Sequence, residues 1–167
     1  QDFSFKIRNW IRPEKFYQYK AAELGYSSAR NVFTAKNIWI EPRYDKYDFS
    51  GKISYQTDHF SGKIDSVRML QPQIKRWFDL KEITGRSLVV DGLDLKIYRD
   101  KSKPFDEKRR PKMLQEMIKS ISYPMSVDSV VFSGAKIEYS ERTPTSDGEG
   151  KIYFTDIVVL LKINFFS

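Results

Sequence analysis

Leu88-Val89-Val90-Asp91-Gly92-Leu93-Asp94-Leu95-Lys96-Ile97-Tyr98 is the stretch that decides how this chain folds. From Leu93 onward apolar residues alternate with Asp94 and Lys96, the period of two that a strand with one wet face imposes. Asp91-Gly92 separates this run from Leu88–Val90, a spacing that fits either a break or a bulge. Outward from here the same alternation recurs. Ala135, Ile137 and Tyr139 alternate with Lys136, Glu138 and Ser140, and Ile53 and Tyr55 alternate with Lys52, Ser54 and Gln56. Ile38 and Ile40 flank Trp39 before Pro42 ends that run. One-sided strands of this kind belong to an antiparallel sheet. From Ile157 both faces are apolar, so the last strand is expected to be covered on both sides or paired with further sequence.

Turn and helix signals complete the outline. Asp147-Gly148-Glu149-Gly150 reads as a hairpin loop between Ile137–Tyr139 and Ile152–Phe154, and Ser61-Gly62 reads as a turn joining 52–56 to 63–69. Pro111 followed by Met113, Leu114, Met117, Ile118 and Ile121 predicts a helix at 111–121, with Pro124 beyond its end. A shorter helix is expected from Pro72 through Ile74, Trp77 and Phe78. Residues 16–24 satisfy both periods, and their tyrosines favour strand. The expected fold class is therefore mainly β: a long, twisted antiparallel sheet of repeat-like strand units with one short helix.

The units repeat near 32–40, 88–98 and 130–139, each an apolar start, a small residue and an alternating strand. Ile64-Asp65-Ser66-Val67 is echoed by Val127-Asp128-Ser129-Val130. Stacked strand–kink–strand units build a sheet in which each copy covers its neighbour. The stretch Val127-Asp128-Ser129-Val130-Val131-Phe132-Ser133-Gly134-Ala135-Lys136-Ile137-Glu138-Tyr139-Ser140-Glu141, followed by Gly150-Lys151-Ile152-Tyr153-Phe154, resembles a repeat unit of the AsmA-like envelope proteins, in the large versions of Bacteroidetes-type bacteria. Leu95-Lys96-Ile97-Tyr98-Arg99-Asp100-Lys101 and Ile40-Glu41-Pro42-Arg43-Tyr44-Asp45 are similar to segments of those proteins too. The resemblance spans roughly residues 26–160. It implies a periplasmic, repeating β-groove that carries phospholipid between membranes or supports outer-membrane assembly, with any membrane anchor outside this segment. Because 152–166 read as strand up to the last residue, the chain is expected to be one β-rich segment, 1–167, of a longer polypeptide.

Composition narrows the chemistry. The 167 residues include 12 Phe, 10 Tyr and 3 Trp, enough apolar area to exclude whole-chain disorder. There is no cysteine, so disulfides, thiolate metal sites and cysteine nucleophiles are excluded. His59 beside Asp58 lacks a further catalytic partner and reads as a solvated loop histidine. Asp45, Asp48 and Asp58 lack calcium-loop spacing and read as solvated turn acids. No phosphate loop and no Gly-x-Ser-x-Gly occurs. The chain is expected to be no enzyme and to carry no cofactor.

Two features remain for binding. Ile53, Tyr55, Leu93, Leu95, Ile97, Ala135, Ile137 and Tyr139 form a candidate apolar groove. Lys96, Arg99, Lys101, Lys103, Lys108, Arg109, Arg110 and Lys112 form a candidate basic patch in a chain of net charge +7. That patch reads either as a solvated loop or as a contact for anionic head groups, at about 1 kcal/mol per basic residue near a charged surface. Expected partners are phospholipid or a membrane surface, and envelope-assembly proteins. The alternative is a basic β-domain binding nucleic acid or polysaccharide through aromatics such as Trp77 and Trp10, or a structural partner-docking module. Nucleic acid is disfavoured, because the aromatics fall mainly at core-like positions and no nucleic-acid-binding signature appears.

Overall fold

Period-two patterning leaves each strand with one apolar face, and pairing the strands side by side gathers those faces onto one side of a sheet. The computed structural model describes residues 2–105, 125–145 and 148–162. Seven strands form one sheet in the order in which they occur: β1 (Ser4–Pro13), β2 (Tyr17–Ser27), β3 (Val32–Pro42), β4 (Asp58–Leu70), β5 (Ile83–Asp100), β6 (Met125–Arg142) and β7 (Glu149–Lys162). Among the described residues two short helices interrupt them, α1 (Lys46–Gly51) and α2 (Ile74–Asp79). The mainly β reading holds, and Trp77 lies in α2 as expected. The helix expected at 111–121 lies outside the described residues.

All joints but one are antiparallel. β5 and β6 run parallel, with Leu95 beside Ile137 and Ile97 beside Tyr139. A parallel joint needs a crossover and not a hairpin, and strand alternation carries no mark of direction.

The register explains the repeats. Phe5, Tyr26, Phe33, Met69, Leu88 and Val130 are successive partners across six strands. Ile7, Leu24, Ala35, Val67, Val90, Phe132 and Val159 form the next apolar row. Beyond them the apolar residue is found three positions on instead of two, at Trp10, Ala21, Ile38, Ile64 and Leu93, with Ala135 opposite Ile157. In uninterrupted extended chain that step would throw the apolar residues to opposite faces.

The backbone absorbs it. Between the two rows, Asn9, Asn37, Gly92 and Gly134 have φ of +53°, +47°, +66° and +62°, and Asp156 on β7 has +54°. Asn, Asp and Gly are the residues that tolerate this left-handed conformation, because a short polar side chain or a missing Cβ lowers its cost. Each reverses the alternation once, so two neighbouring side chains face outward and the apolar set stays on one face. β2 and β4 make the three-residue step without a left-handed residue; on β4 the two residues inside it are Asp65, ion-paired with Lys63 at 2.8 Å, and Ser66, whose hydroxyl donates to Asp91 at 3.1 Å. The sheet is thus creased along one line, and the stretches near 32–40, 88–98 and 130–139 are strands crossing it. The echoed Ile64–Val67 and Val127–Val130 are both three-residue steps, and Val127 and Val130 are the most buried large side chains.

Two expectations are corrected, and one open alternative is decided. Residues 52–56 are not a strand: α1 ends at Gly51 and the chain continues irregularly to β4. Asp45 caps α1, accepting from the Tyr47 and Asp48 amides at 2.8 and 2.9 Å, and this local capping outcompetes the short alternation that follows. Ser61-Gly62 is no turn but the middle of β4. Gly62 is there because a Cβ would come within 2.8 Å of the Asp94 carbonyl oxygen. Asp91-Gly92 does not break the chain either, since β5 runs continuously through it.

Gly92 and Gly134 separate strain from crowding. A Cβ at Gly92 would meet the Asp65 carboxylate at 2.2 Å, whereas one at Gly134 would meet nothing within 4 Å. Gly134→Ala is expected to cost about 1–2 kcal/mol from the left-handed backbone alone, and Gly92→Ala more. Adding Asp65→Ala to Gly92→Ala should recover the difference. Urea denaturation measures all three, and a Gly92→Ala chain as stable as the native one would refute the crease as a constraint.

Candidate functional site

The apolar face runs across the whole sheet. Below the crease it is closed by α2: Trp77 packs on the Met69, Val127 and Val130 cluster and meets Phe33 edge-on at 5.1 Å. The Trp77 indole N–H donates to the Thr84 carbonyl at 3.3 Å, fixing the helix to β5. Above the crease, Leu93, Leu95 and Ile97 on β5 share the face with Ala135, Ile137 and Tyr139 on β6, and the parallel joint sets them side by side. Leu95 and Ala135 are buried, while Leu93, Ile97, Ile137 and Tyr139 are half-buried. Towards the sheet edges the face opens, with Ile7 46%, Phe154 51% and Ile152 54% exposed.

Ile53 and Tyr55 do not join them. Both lie outside the sheet in the segment after α1, and Tyr55 is 46% exposed. In their place the register brings in Trp10, Tyr19, Ile38, Ile40 and Ile64, which the reading of single strands missed. The signal that finds them is the three-residue apolar step, present on every strand but visible only when strands are aligned.

The basic patch does not assemble as free charge. Arg99 grips Asp58 through two hydrogen bonds, of 2.6 and 2.7 Å, and this holds the guanidinium's pKa above its usual value. Lys101 pairs with Glu141 at 2.7 Å, and the Tyr139 hydroxyl donates to the same carboxylate at 3.0 Å. The Lys101 contact pulls Glu141 below the usual carboxylate range. Lys96 is exposed on the opposite, polar face, and Lys103 is half-buried in the following loop. Lys108, Arg109, Arg110 and Lys112 lie outside the described residues.

Where the sequence suggested a solvated histidine, the structure has a buried one. His59 lies on β4, 8% exposed, in one row with Tyr98 and Ser140 on the polar face. Its Nε2 is 3.1 Å from the Tyr44 carbonyl oxygen, and since a carbonyl only accepts, that nitrogen carries the proton. Phe49 of α1 meets the imidazole edge-on at 5.1 Å, and Tyr47 covers Tyr98 at 6.1 Å. The Tyr98 hydroxyl is buried without a hydrogen-bond partner, and burial raises its pKa to about 12. Lys46 and Tyr47 both donate to Glu149, tying α1 to β7. This row is a polar seam under α1, with His59 already engaged by the Tyr44 carbonyl. Asp45 is spent on the helix cap and Asp58 on Arg99. Among the described residues no three His, Asp or Glu side chains form a cluster able to hold a metal ion, and no helix is long and apolar enough to cross a membrane.

Compared with family models, with curated proteins and with solved structures, the chain matches none.

The Lys46–Glu149 tie has a pH signature. The hydrogen bond from Lys46 depresses the Glu149 pKa below 4.5, so the carboxylate is ionised more readily in the folded chain than in the unfolded one. Its contribution is present at neutral pH, above the unfolded pKa, and is lost as pH falls through the folded value. Glu149→Gln is expected to lower stability at pH 7 modestly and to flatten the stability profile in the acid range below 4.5. Thermal melts of both chains across that range measure it.

Proposed function

We propose that this chain is a non-enzymatic, periplasmic segment of an AsmA-like envelope protein, serving lipid transport between membranes or outer-membrane assembly. The observation that carries the reading is the apolar face itself. It stays on one side of all seven strands because the crease keeps it there, and at the strand edges it remains open to solvent. A creased sheet with an apolar inner side shields acyl chains without any chemistry, and hydrocarbon burial supplies about 0.8 kcal/mol per methylene. A sheet that wanted only stability would close such a face with a second layer.

Two further features support it. The strand–kink–strand unit near 130–139 lies in the stretch that resembles an AsmA-like repeat, and it crosses the crease at the same row as the units near 32–40 and 88–98. Arg99 and Lys101 stand at the upper end of the apolar face, each already held by a carboxylate, an arrangement suited to a zwitterionic head group. The same pairing weighs against nucleic acid, which binds through many unpaired cations and loses affinity steeply with salt.

The test is mass spectrometry of organic extracts from the gently purified chain, beside a size-matched unrelated β-protein. Stoichiometric phospholipid is expected, retained at moderate salt. Ile97→Asp and Ile137→Asp, at half-buried positions of the face, are expected to abolish it while the far-ultraviolet circular dichroism stays native. An empty extract from a stable native chain would sink the proposal.

A further inference from the structure

Among the described residues, the large hydrophobic side chains that strands leave exposed are confined to the two edges of the sheet. They are Ile7 and Ile11 on β1, and Ile152, Tyr153, Phe154, Val158 and Leu160 on β7, with Val158 at 75% the most open. The edge charges are mostly spent within the chain. On β1, Lys6 pairs with Glu23 at 3.1 Å and Arg12 with Glu14 at 2.9 Å. On β7, Glu149 is held by Lys46 and Lys151 by Glu138. Each edge keeps one charge over. Glu23 stands opposite Arg8 but takes Lys6 and Lys36 instead, so Arg8 is exposed and, among the described residues, has no ion-pair partner. Asp156 on β7 is likewise exposed and unpaired among them.

We infer that β7 pairs antiparallel with β1 of a second copy, so that copies add head to tail and the sheet continues from one into the next. Direction allows it. The joints from β1 to β5 are antiparallel, β5 and β6 are parallel, and β7 turns back, so β1 and β7 run opposite ways. A second copy set beside β7 in the same orientation presents β1 antiparallel, with its apolar face on the same side. The three-residue step fixes the register. Every joint from β1 to β5 sets step against step, as Ile7–Leu24 and Trp10–Ala21 do. On β7 the step runs from Phe154 to Ile157, and β1 meets it in one register, with Ile157 opposite Ile7 and Phe154 opposite Trp10. Val159 then faces Phe5, and Tyr153 faces Ile11 on the other side; a one-residue slip would set apolar-face residues against polar-face ones.

Charge selects the partner. The same register puts Asp156 opposite Arg8, the two groups each edge leaves unpaired. Lys6 and Arg12 fall opposite Val158 and Ile152 and cover them with their aliphatic stems, their charged ends still on Glu23 and Glu14. The free backbone agrees. The Glu14 amide donates to the Tyr17 carbonyl at 2.8 Å, so Glu14 and Arg12 turn their peptide groups to β2 and Ile11 turns its own outward. The Lys101 amide donates to the Arg142 carbonyl at 2.8 Å, so Arg142 faces β5 and Glu141 faces β7; on β7, Gly150 and Ile152 face back and Tyr153 faces out. Pairing like edges does less. β7 on β7 in its step register sets Leu160 on Lys151 and Asp156 on Thr155, and leaves Ile7 and Ile11 bare. β1 on β1 sets Phe5 on Arg12 and offers Arg8 no carboxylate. The head-to-tail contact covers both edges of every copy, and being heterologous it grows past a dimer. This inference stands independently of the lipid reading.

Sedimentation velocity on the native chain, on Arg8→Asp and Asp156→Arg chains and on the double variant tests the pairing. The native chain is expected to form species larger than a dimer as concentration rises. Each single variant should stay monomeric with native circular dichroism, and the double variant, whose reversed charges meet again, should assemble. That rescue separates the charge contact from backbone strain at Asp156, φ +54°, which Arg8→Asp does not relieve. The chain has no cysteine, so introduced ones report the register directly. Ile152→Cys and Arg12→Cys chains mixed under mild oxidation should give a disulfide-linked pair that neither gives alone. A native chain that stays monomeric on concentration overturns the inference, as does assembly that survives both single reversals. So does a dimer that grows no further and links Ile152→Cys to Val159→Cys, the mark of β7 on β7.

Discussion

A strand shows its side chains to alternate faces, and this sheet has to keep its apolar residues on one face through a three-residue step. Everything else in the structure depends on how that conflict is resolved. On β1, β3, β5 and β6 the step falls at a left-handed residue, Asn9, Asn37, Gly92 and Gly134, with Asp156 beyond on β7, while β2 and β4 make it without one. Because neighbouring strands hydrogen-bond in register, the reversal cannot be made by one strand alone. A strand that failed to reverse would present polar side chains to the apolar face of both neighbours. The crease is therefore collective, and it runs the width of the sheet.

The crease also divides the labour between the two halves. Below it, Trp77 of α2 closes the apolar face over Met69, Val127 and Val130, giving a small dry core. Above it, α1 packs on the other face, over His59 and Tyr98, and is held by the Lys46 and Tyr47 contacts to Glu149. Helices of six residues have little stability of their own, so each depends on the strand residues beneath it. Covering opposite faces at opposite ends leaves the upper apolar face, where Leu93, Ile97, Ile137 and Tyr139 are half-buried, without either of these helices over it.

Much of this was legible in the residues. Alternation at 93–97 and 135–139 gave strands and faces, Pro72 with Trp77 gave α2, and Gly92 marked an interruption whose nature stayed open between break and bulge. What misled was local punctuation read without neighbours. Ser61-Gly62 looks like a turn until Asp94 is seen pressed against it, and Ile53/Tyr55 looks like a strand until Asp45 caps the helix before it. His59 was misplaced for a related reason: nothing local to it announces that Phe49 and the Tyr44 carbonyl will enclose it.

The sequence by itself determined that the chain is mainly β, which residues are apolar on each strand, and where the left-handed positions can fall. These are properties of single residues and of spacing, fixed by side-chain size and backbone sterics. Only the tertiary structure decided that the steps at Asn9, Asn37, Gly92 and Gly134 line up across the sheet, that β5 and β6 run parallel, and that Arg99 and Lys101 are consumed by Asp58 and Glu141. Those facts concern which strand lies beside which and in what direction. Alternation is the same read forward or backward, so pairing is settled by burial and hydrogen bonding across the whole sheet and by no stretch of it alone.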